Sequence, residues 1–496
     1  MGFLKVFFSL IGLTLISKVL GFLREVFLSF YYGASYITDA YLVALTIPGV
    51  LFAFFTTAIS VSFIPIFSKI SENIEERNNF VNNLFSGLII VSSIIVVLTI
   101  LFADILVFIC APGFDQVTRD LAIKFTRLFV VGVYFSCWLA IFCAFLSFFK
   151  KFTIIALAGI PFNLSILTSI TLSFYYGENW LILGAVFGKL FEIIFLYPHV
   201  KKLNYKFKFK INFKDENIRK LIFLSMPLMF SVGINQINII VDKSIASSLQ
   251  VGAISAINYS HYLIELVIGI FVLTVVTIFF PDLAKFFQKK DFNNIEKTTE
   301  KSLQIVNFFV IPSFIFFIFQ SSNIISFVYE RGNFGQSDVE LTSNAFIFFS
   351  IGLLGLAYRE VLSRIYYAMH NTKIPVINSI VGVLINIVLA LILSKYMGVS
   401  GLALATSLSA FITAILLIFY LKQFNIFLNY KNIFTCFLKK IISATLAMLL
   451  IILFSKYIFL PLFFFIFLFF YFIFLFLLKD EILVFTFNKV LGKLTK

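Results

Sequence analysis

The chain has 496 residues, of which 61% belong to the apolar set and only 13% are charged, with a mean hydropathy of +1.03. Ordinary soluble domains carry about 25% charged residues, and a soluble globule this apolar would expose large greasy patches, so the composition excludes a soluble fold and places the chain in a lipid bilayer. The formal charge of +15 would suggest nucleic acid on a soluble protein; in a bilayer the meaning of the cations depends on where they sit, and no nucleic-acid partner is expected.

A bilayer core needs roughly 20 apolar residues per helix. Cutting the chain at charged or Gly/Pro/Asn-rich breaks predicts an all-α polytopic membrane protein with fourteen spans, near 5–31, 37–67, 80–109, 121–149, 153–175, 179–199, 219–249, 254–280, 303–329, 341–369, 375–395, 400–422, 437–455 and 458–478. The first contains Lys18, Arg24 and Glu25 and no small-residue cleavage site, and so reads as a retained span rather than a signal peptide. After span 6 the chain turns basic, from Lys201 to Lys220, and a second polar stretch begins at Gln423. These breaks predict an N-lobe at 1–200, a basic cytoplasmic linker at 201–218, a C-lobe at 219–422, a linker at 423–436, spans 13 and 14 at 437–478, and a cytoplasmic tail at 479–496. The last two spans are rich in Phe and Leu and are expected to face lipid.

An even span count puts both termini on one side. Loops on that side, with the tails, hold twenty-seven cations, among them the linker lysines and Lys439 and Lys440, whereas the opposite loops hold only Arg119, Arg331, Lys395 and Lys456. Lys and Arg favour the cytoplasmic side, so both termini are predicted to be cytoplasmic.

The halves resemble each other at an offset near 219. Tyr32-Gly33-Ala34 recurs as Val251-Gly252-Ala253, Phe63-Ile64-Pro65 as Phe279-Phe280-Pro281, and Asn163 falls opposite Asn386. Six spans is an even number, so the repeat is parallel, with its pseudo-two-fold axis along the membrane normal, an arrangement found in transporters.

Eight cations remain inside the spans: Lys18, Arg24, Lys124, Arg127, Lys189, Lys243, Arg359 and Arg364. A charge in the bilayer costs several kcal/mol unless it faces protein or water. Lys124, Arg127, Lys189 and Arg364 are within reach of an interface or a local partner. Lys18 and Glu25 share a face of span 1, and Arg24 lies about 100° round. Lys243 is the repeat equivalent of Arg24, and Asp242 stands beside it as Glu25 stands beside Arg24. Two escorted cations facing a cavity would suit an anionic substrate, although purely structural ion pairs are the alternative. Asp39, at the start of span 2, suits an N-cap or a cavity role equally. Glu265 in span 8 requires a cavity or a cation, and His261 reads first as a hydrogen-bonded core residue.

Other chemistry lacks its parts. Cys110, Cys137, Cys143 and Cys436 show neither a metal-ligand nor a secreted disulfide spacing, the three histidines form no metal motif, and neither a Walker loop nor a serine-nucleophile elbow occurs. No enzymatic activity and no metal are expected.

Ser17-Lys18-Val19-Leu20-Gly21-Phe22 with Arg24-Glu25, then Gly33-Ala34 and Thr38-Asp39-Ala40-Tyr41 through Pro48, resemble the opening of the MurJ (MviN) lipid II flippase family. Gln236 to Asp242-Lys243, Gly252-Ala253-Ile254-Ser255 through Tyr259, Phe280-Pro281, and Arg364-Ile365-Tyr366-Tyr367-Ala368 through Pro375 agree as well. The resemblance implies the multidrug/oligosaccharidyl-lipid/polysaccharide exporter (MOP) fold, with two six-helix lobes and two C-terminal helices that form a groove for a lipid tail. It also implies the substrate, an undecaprenyl-pyrophosphate-linked disaccharide-peptide moved from the inner to the outer leaflet of the bacterial cytoplasmic membrane, with membrane lipids and cell-wall synthesis proteins as partners. The candidate substrate-binding set is Arg24, Lys18, Glu25, Asp39, Lys243, Glu265 and Ser255. Members commonly carry an arginine after the span 2 proline, where this chain has Gly49, Leu51 and Phe52, and another at the position of Tyr262. Similarity to some relatives also implies a monovalent-cation (sodium) site using Asp242, Asn386 and Thr406, with Ala390 where a carboxylate would be expected; membrane potential is the other candidate driving force.

The expected mechanism is a cationic chamber that binds the diphosphate while the prenyl tail stays in lipid, with lobes rocking in alternating access. The alternatives are a flippase for another polyprenyl-linked glycan, a drug/cation antiporter, a polytopic glycosyltransferase and a division scaffold.

Overall fold

A computed structural model of the chain describes residues 2–212, 214–454, 460–480 and 483. Lys456 and most of the predicted tail, with Lys489, Lys493 and Lys496, lie outside the described residues. The chain divides into two compact units, Met1–Ser255 with Arg331–Gly335, and Ala256–Glu330 with Gln336–Lys496. Among the described residues eleven helices are long and apolar enough to cross a membrane, or twelve if one bent pair counts as a single span.

The first unit holds α1 (Gly2–Tyr32), α2 (Tyr36–Ile70), α3 (Ile74–Leu101), α4 (Ala103–Cys110), α5 (Gln116–Phe129), α6 (Gly132–Phe148), α7 (Phe152–Tyr176), α8 (Asn179–Lys201) and α9 (Glu216–Ser247). Two predicted spans are broken. Span 3 is α3 plus the short α4, and span 4 is α5 and α6, bent by 45°. The bend has a sequence cause: Asp120, Lys124 and Arg127 recur at helical spacing on the exposed side of α5, opposite the buried Thr118, Ala122 and Phe125, whereas α6 is apolar throughout. Gly132 at the join supplies the weak point. Lys124 and Arg127 are therefore exposed residues of an amphipathic helix, as an interfacial reading requires.

Small residues set the helix contacts, as they do wherever helices pack in lipid. α1 runs parallel to α7: a Cβ on Gly159 would stand 2.7 Å from Ser17 Oγ, and at the far end the Tyr32 hydroxyl donates to Ser173 Oγ at 2.7 Å. α7 and α8 form an antiparallel hairpin, with Ser165 Oγ donating to Gly184 O at 3.1 Å. The core between α2, α3 and α6 is aromatic, with Phe63 stacked on Phe67 at 4.9 Å and Phe67 edge-on to Phe145 at 5.4 Å.

The second unit takes most of α10 (Ala253–Val267), a π turn at Ile268–Val272, α11 (Leu273–Gln288), α12 (Phe292–Tyr329), α13 (Gln336–Ala368), α14 (Lys373–Met397), α15 (Val399–Leu421), α16 (Tyr430–Phe454) and α17 (Leu460–Leu477). Predicted span 8 is thus two helices joined by a π turn that contains Gly269. Glycines again allow close approach: a Cβ on Gly352 would lie 2.3 Å from Ser407 Oγ, and one on Gly401 2.2 Å from Leu393 O. On α17, Phe463, Phe467, Tyr471 and Leu475 form a buried stripe, while Phe465 and Phe469 are 67% and 61% exposed. The stripe packs on α12, where Phe316 meets Phe467 at 5.5 Å and the Tyr471 hydroxyl donates to Phe308 O at 3.2 Å. The outward Phe residues of α17 suit lipid, as the composition of this span predicts.

One orientation cation is placed differently from its sequence assignment. Lys440 is not a solvated loop residue: it lies within α16, fully buried, 2.7 Å from the equally buried Asp480. A buried ammonium needs a carboxylate partner, and here the partner follows α17, forty residues on.

Candidate functional site

The pair Arg24–Glu25 forms as the sequence suggests. Arg24 Nη2 and Nε donate to Glu25 Oε1 at 2.8 and 3.2 Å, and the two side chains differ in exposure, 27% against 4%. Adjacent helix positions point about 100° apart, so the carboxylate turns into protein while the guanidinium reaches the open side. Lys18, on the Glu25 face two turns earlier, is half-buried. Contact of α1 with α7 holds both positions in register.

Asp39 does not cap its own helix. The N-cap of α2 is Ser35, which makes no side-chain cap bond. The Asp39 carboxylate instead receives the amides of Gly252 at 2.7 Å and Ser255 at 2.8 Å, together with the Ser255 hydroxyl. Those amides belong to the start of α10, where a helix has N–H groups without intrahelical partners, so α2 lends a carboxylate to the first turn of another helix. Asp39 is 2% exposed and Ser255 is fully buried. In this conformation the two residues bind one another.

Lys243 is also tied to α2. Its ammonium donates to Leu42 O at 2.7 Å and to the Thr46 hydroxyl, while Asp242 accepts from Asn238 Nδ2 at 3.0 Å. Arg24 engages the carboxylate next to it, whereas Lys243 engages a different helix.

Around these contacts, turns of the first unit meet at backbone distance. Gly252 has φ +83° and faces Ala34, whose carbonyl oxygen a Cβ would approach to 2.3 Å; Gly332, at φ +61°, stands equally close to Phe30 O, and the Asn333 amide donates to that oxygen at 2.9 Å. Gly113 donates its N–H to Ser247 Oγ at 3.1 Å. Gly33 and Gly252, matched by the repeat, both adopt positive φ, a conformation that costs glycine nothing.

Sequence reasoning gave Lys189 a local role only. It pairs with Glu192 at 3.3 Å, but its ammonium also lies 4.5 Å from the Phe162 ring centroid and 5.9 Å from that of Phe52. A cation from α8 therefore reaches the α2 position where the family resemblance would put an arginine. Only the tertiary fold could reveal this, because 137 residues separate Lys189 from Phe52.

In the second unit Glu265 is exposed, and the His261 ring packs edge-on against Phe349 at 5.3 Å. Asn386 Nδ2 donates to Thr406 Oγ1 at 3.1 Å, bringing together two of the three residues proposed for a cation, and Ala390 is buried one turn after Asn386. Asp242 belongs to the first unit. No cluster of three His, Cys, Asp or Glu suited to a metal occurs among the described residues.

The helical architecture is similar to that of a structure titled as an inward-facing multidrug resistance MATE family transporter of the MOP superfamily, with a TM-score of 0.71 at 11% identity over 83% of this chain and 96% of the other, a likeness of fold. A closer match, with a TM-score of 0.84 and 28% identity over 95% and 99% of the two chains, is a structure titled "Lipid II flippase MurJ, inward closed conformation". The family model described as "Lipid II flippase MurJ" matches residues 28–474. Relatives named "Probable lipid II flippase MurJ" include one from Buchnera aphidicola subsp. Baizongia pistaciae, 31% identical over 93% of this chain and 91% of its own, and one from Treponema pallidum, 30% identical over 83% and 80%. The chain belongs to the MurJ lipid II flippase family.

Proposed function

We infer that this protein is a lipid II flippase, a transporter and not an enzyme, acting on the lipid-linked peptidoglycan precursor in the bacterial inner membrane. The observation that carries this reading is the family match over residues 28–474. A drug-exporting MATE function has only the fold likeness behind it.

The chain crosses the membrane fourteen times, with both termini cytoplasmic, as two six-span lobes at 1–200 and 219–422 related by a parallel repeat, followed by two C-terminal spans. The repeat is supported by two glycine-contacted hairpins at matching places, α7–α8 and α14–α15, and by the positive-φ glycines Gly33 and Gly252. The headgroup moves from the inner to the outer leaflet by alternating access. A diphosphate cannot enter hydrocarbon without a large desolvation cost, so the chamber supplies cations: Arg24, with Lys18, binds it through charge-assisted hydrogen bonds, and Glu25 restrains the guanidinium between cycles. Lys189, beside Phe52, supplies a further cation. Asp39, Ser255 and Lys243 are positioning residues that fasten α9 and the start of α10 to α2 in this conformation. Glu265 is the acidic residue of the set on α10.

The coupling is to membrane potential, which offers about 2.3 kcal/mol per charge per 100 mV, or to a monovalent cation such as sodium. Asn386 and Thr406 would give such an ion neutral oxygen donors, and Asp242 is the carboxylate named for it. Cell-wall synthesis proteins are the proposed downstream partners. Rescue of a flippase-depleted strain by the native chain, and loss of rescue with Arg24→Ala at normal membrane levels, tests the reading.

A further inference from the structure

The basic linker after α8 is not a solvated tether. From Tyr205 to Asn212 it has neither helix nor turn, yet side chains along the first turns of α3 bind its backbone throughout. Arg77 Nη2 donates to Leu203 O at 2.5 Å and Asn82 Nδ2 to Lys206 O at 3.0 Å, the Lys210 amide donates to Ser86 Oγ at 3.0 Å, and Asn83 and Asn212 exchange two bonds, at 2.7 and 2.9 Å. Polar side chains of a helix thus do what a neighbouring strand would do for an extended segment. Tyr205, buried, donates its hydroxyl to Asn82 Oδ1 at 2.9 Å, and Phe207 lies 5.0 Å from Phe85.

Fixing the backbone fixes the alternation. In an extended run successive side chains point to opposite sides, and here the run reads Lys206-Phe207-Lys208-Phe209-Lys210-Ile211. All three lysines are exposed, and so are the apolar residues beyond the buried Tyr205, with Phe207 48%, Phe209 62% and Ile211 41% exposed. A strip with an ammonium edge and an unburied aromatic edge, held against a membrane-spanning helix, has the two features an interfacial lipid site requires: apolar groups at acyl depth and cations at phosphate depth.

We propose that the segment 206–211, clamped to α3, is a binding site for anionic phospholipid of the adjacent leaflet, its lysines engaging lipid phosphate while Phe209 and Ile211 enter the acyl region. The site is separate from the substrate chamber and does not rest on the flippase reading. Charge complementarity selects an anionic over a zwitterionic lipid, and the apolar edge selects a lipid over a soluble anion.

The test is a thermal-unfolding titration of the purified full chain in detergent micelles doped with phosphatidylglycerol, with phosphatidylcholine, or with soluble glycerol 3-phosphate. The native chain should be stabilised preferentially by phosphatidylglycerol. Lys208→Gln, at a residue whose backbone is not among those bonded to α3, should weaken the apparent affinity about fivefold, the equivalent of the roughly 1 kcal/mol that a basic residue contributes beside an anionic leaflet. The Lys206/Lys208/Lys210→Gln triple variant should abolish the preference, and the triple Arg variant should keep it. Lys289→Gln with Lys290→Gln, exposed in another loop, should leave it unchanged. Full preference in the folded triple Gln variant or in Lys208→Gln would overturn the proposal, as would equal stabilisation by glycerol 3-phosphate.

Discussion

Asp39 of α2 and Ser255 of α10 hold each other through both the amide and the hydroxyl of the serine, while the second carboxylate oxygen takes the Gly252 amide. One buried side chain thereby satisfies two backbone donors in a turn more than two hundred residues away. Asp39→Asn turns an amide donor towards N–H groups, and leaving a buried donor unsatisfied costs about 1–3 kcal/mol. Ser255→Ala removes only the hydroxyl bond and should cost about 1 kcal/mol. Thermal unfolding of the full chain in detergent should therefore rank native above Ser255→Ala above Asp39→Asn; the reverse order of the two variants would contradict the capping role.

Gly252 combines a positive φ with a backbone oxygen where its Cβ would stand. Gly252→Ala should lower the unfolding temperature more than Gly335→Ala, because a Cβ on Gly335 meets nothing within 4 Å. Equal shifts for the two would show that the turn yields freely.

The buried pair Lys440–Asp480 should behave as desolvated ion pairs do. Removing one charge strands the other, at about 3–5 kcal/mol, whereas replacing both with apolar groups of similar size is close to neutral. Lys440→Met should thus be strongly destabilised and Lys440→Met/Asp480→Leu largely restored. A double variant as unstable as the single one would mean that the pair does not act as a unit.

Lys189 beside Phe52 yields a functional prediction. Lys189→Met keeps much of the packing over Phe162 and removes the cation; it should support slower growth of a flippase-depleted strain, and Lys189→Arg should restore the rate. Growth of Lys189→Met at the native rate would confine this lysine to its pairing with Glu192.

What the sequence reveals depends on the range of the interactions involved. Apolar runs bounded by Lys and Asn located the helices well, because desolvation acts locally along the chain. The sequence places the start of span 3 at 80 whereas α3 begins at Ile74, since Arg77 and Asn78 read as loop polarity when their side chains bind the linker backbone. The break in span 4 was hidden because the amphipathic pattern of α5 is averaged with apolar α6 in a window of span length. Arg24–Glu25 could be seen because the partners are neighbours. The Asp39–Ser255, Lys243–Thr46, Lys189–Phe52 and Lys440–Asp480 contacts could not, since each joins residues forty or more positions apart and nothing in a local pattern marks it. Nor does any local pattern show that Lys243 donates to α2 while Arg24 pairs with its neighbour.

We propose that this chain moves lipid II across the membrane using Arg24. A leaflet-exposure assay in cells depleted of their own flippase measures this directly, scoring the lipid II made accessible at the outer surface when the native chain or Arg24→Ala is present at equal membrane levels. The account predicts outer-leaflet lipid II with the native chain and background exposure with Arg24→Ala. Background exposure with the native chain, or equal exposure with the two, would contradict it.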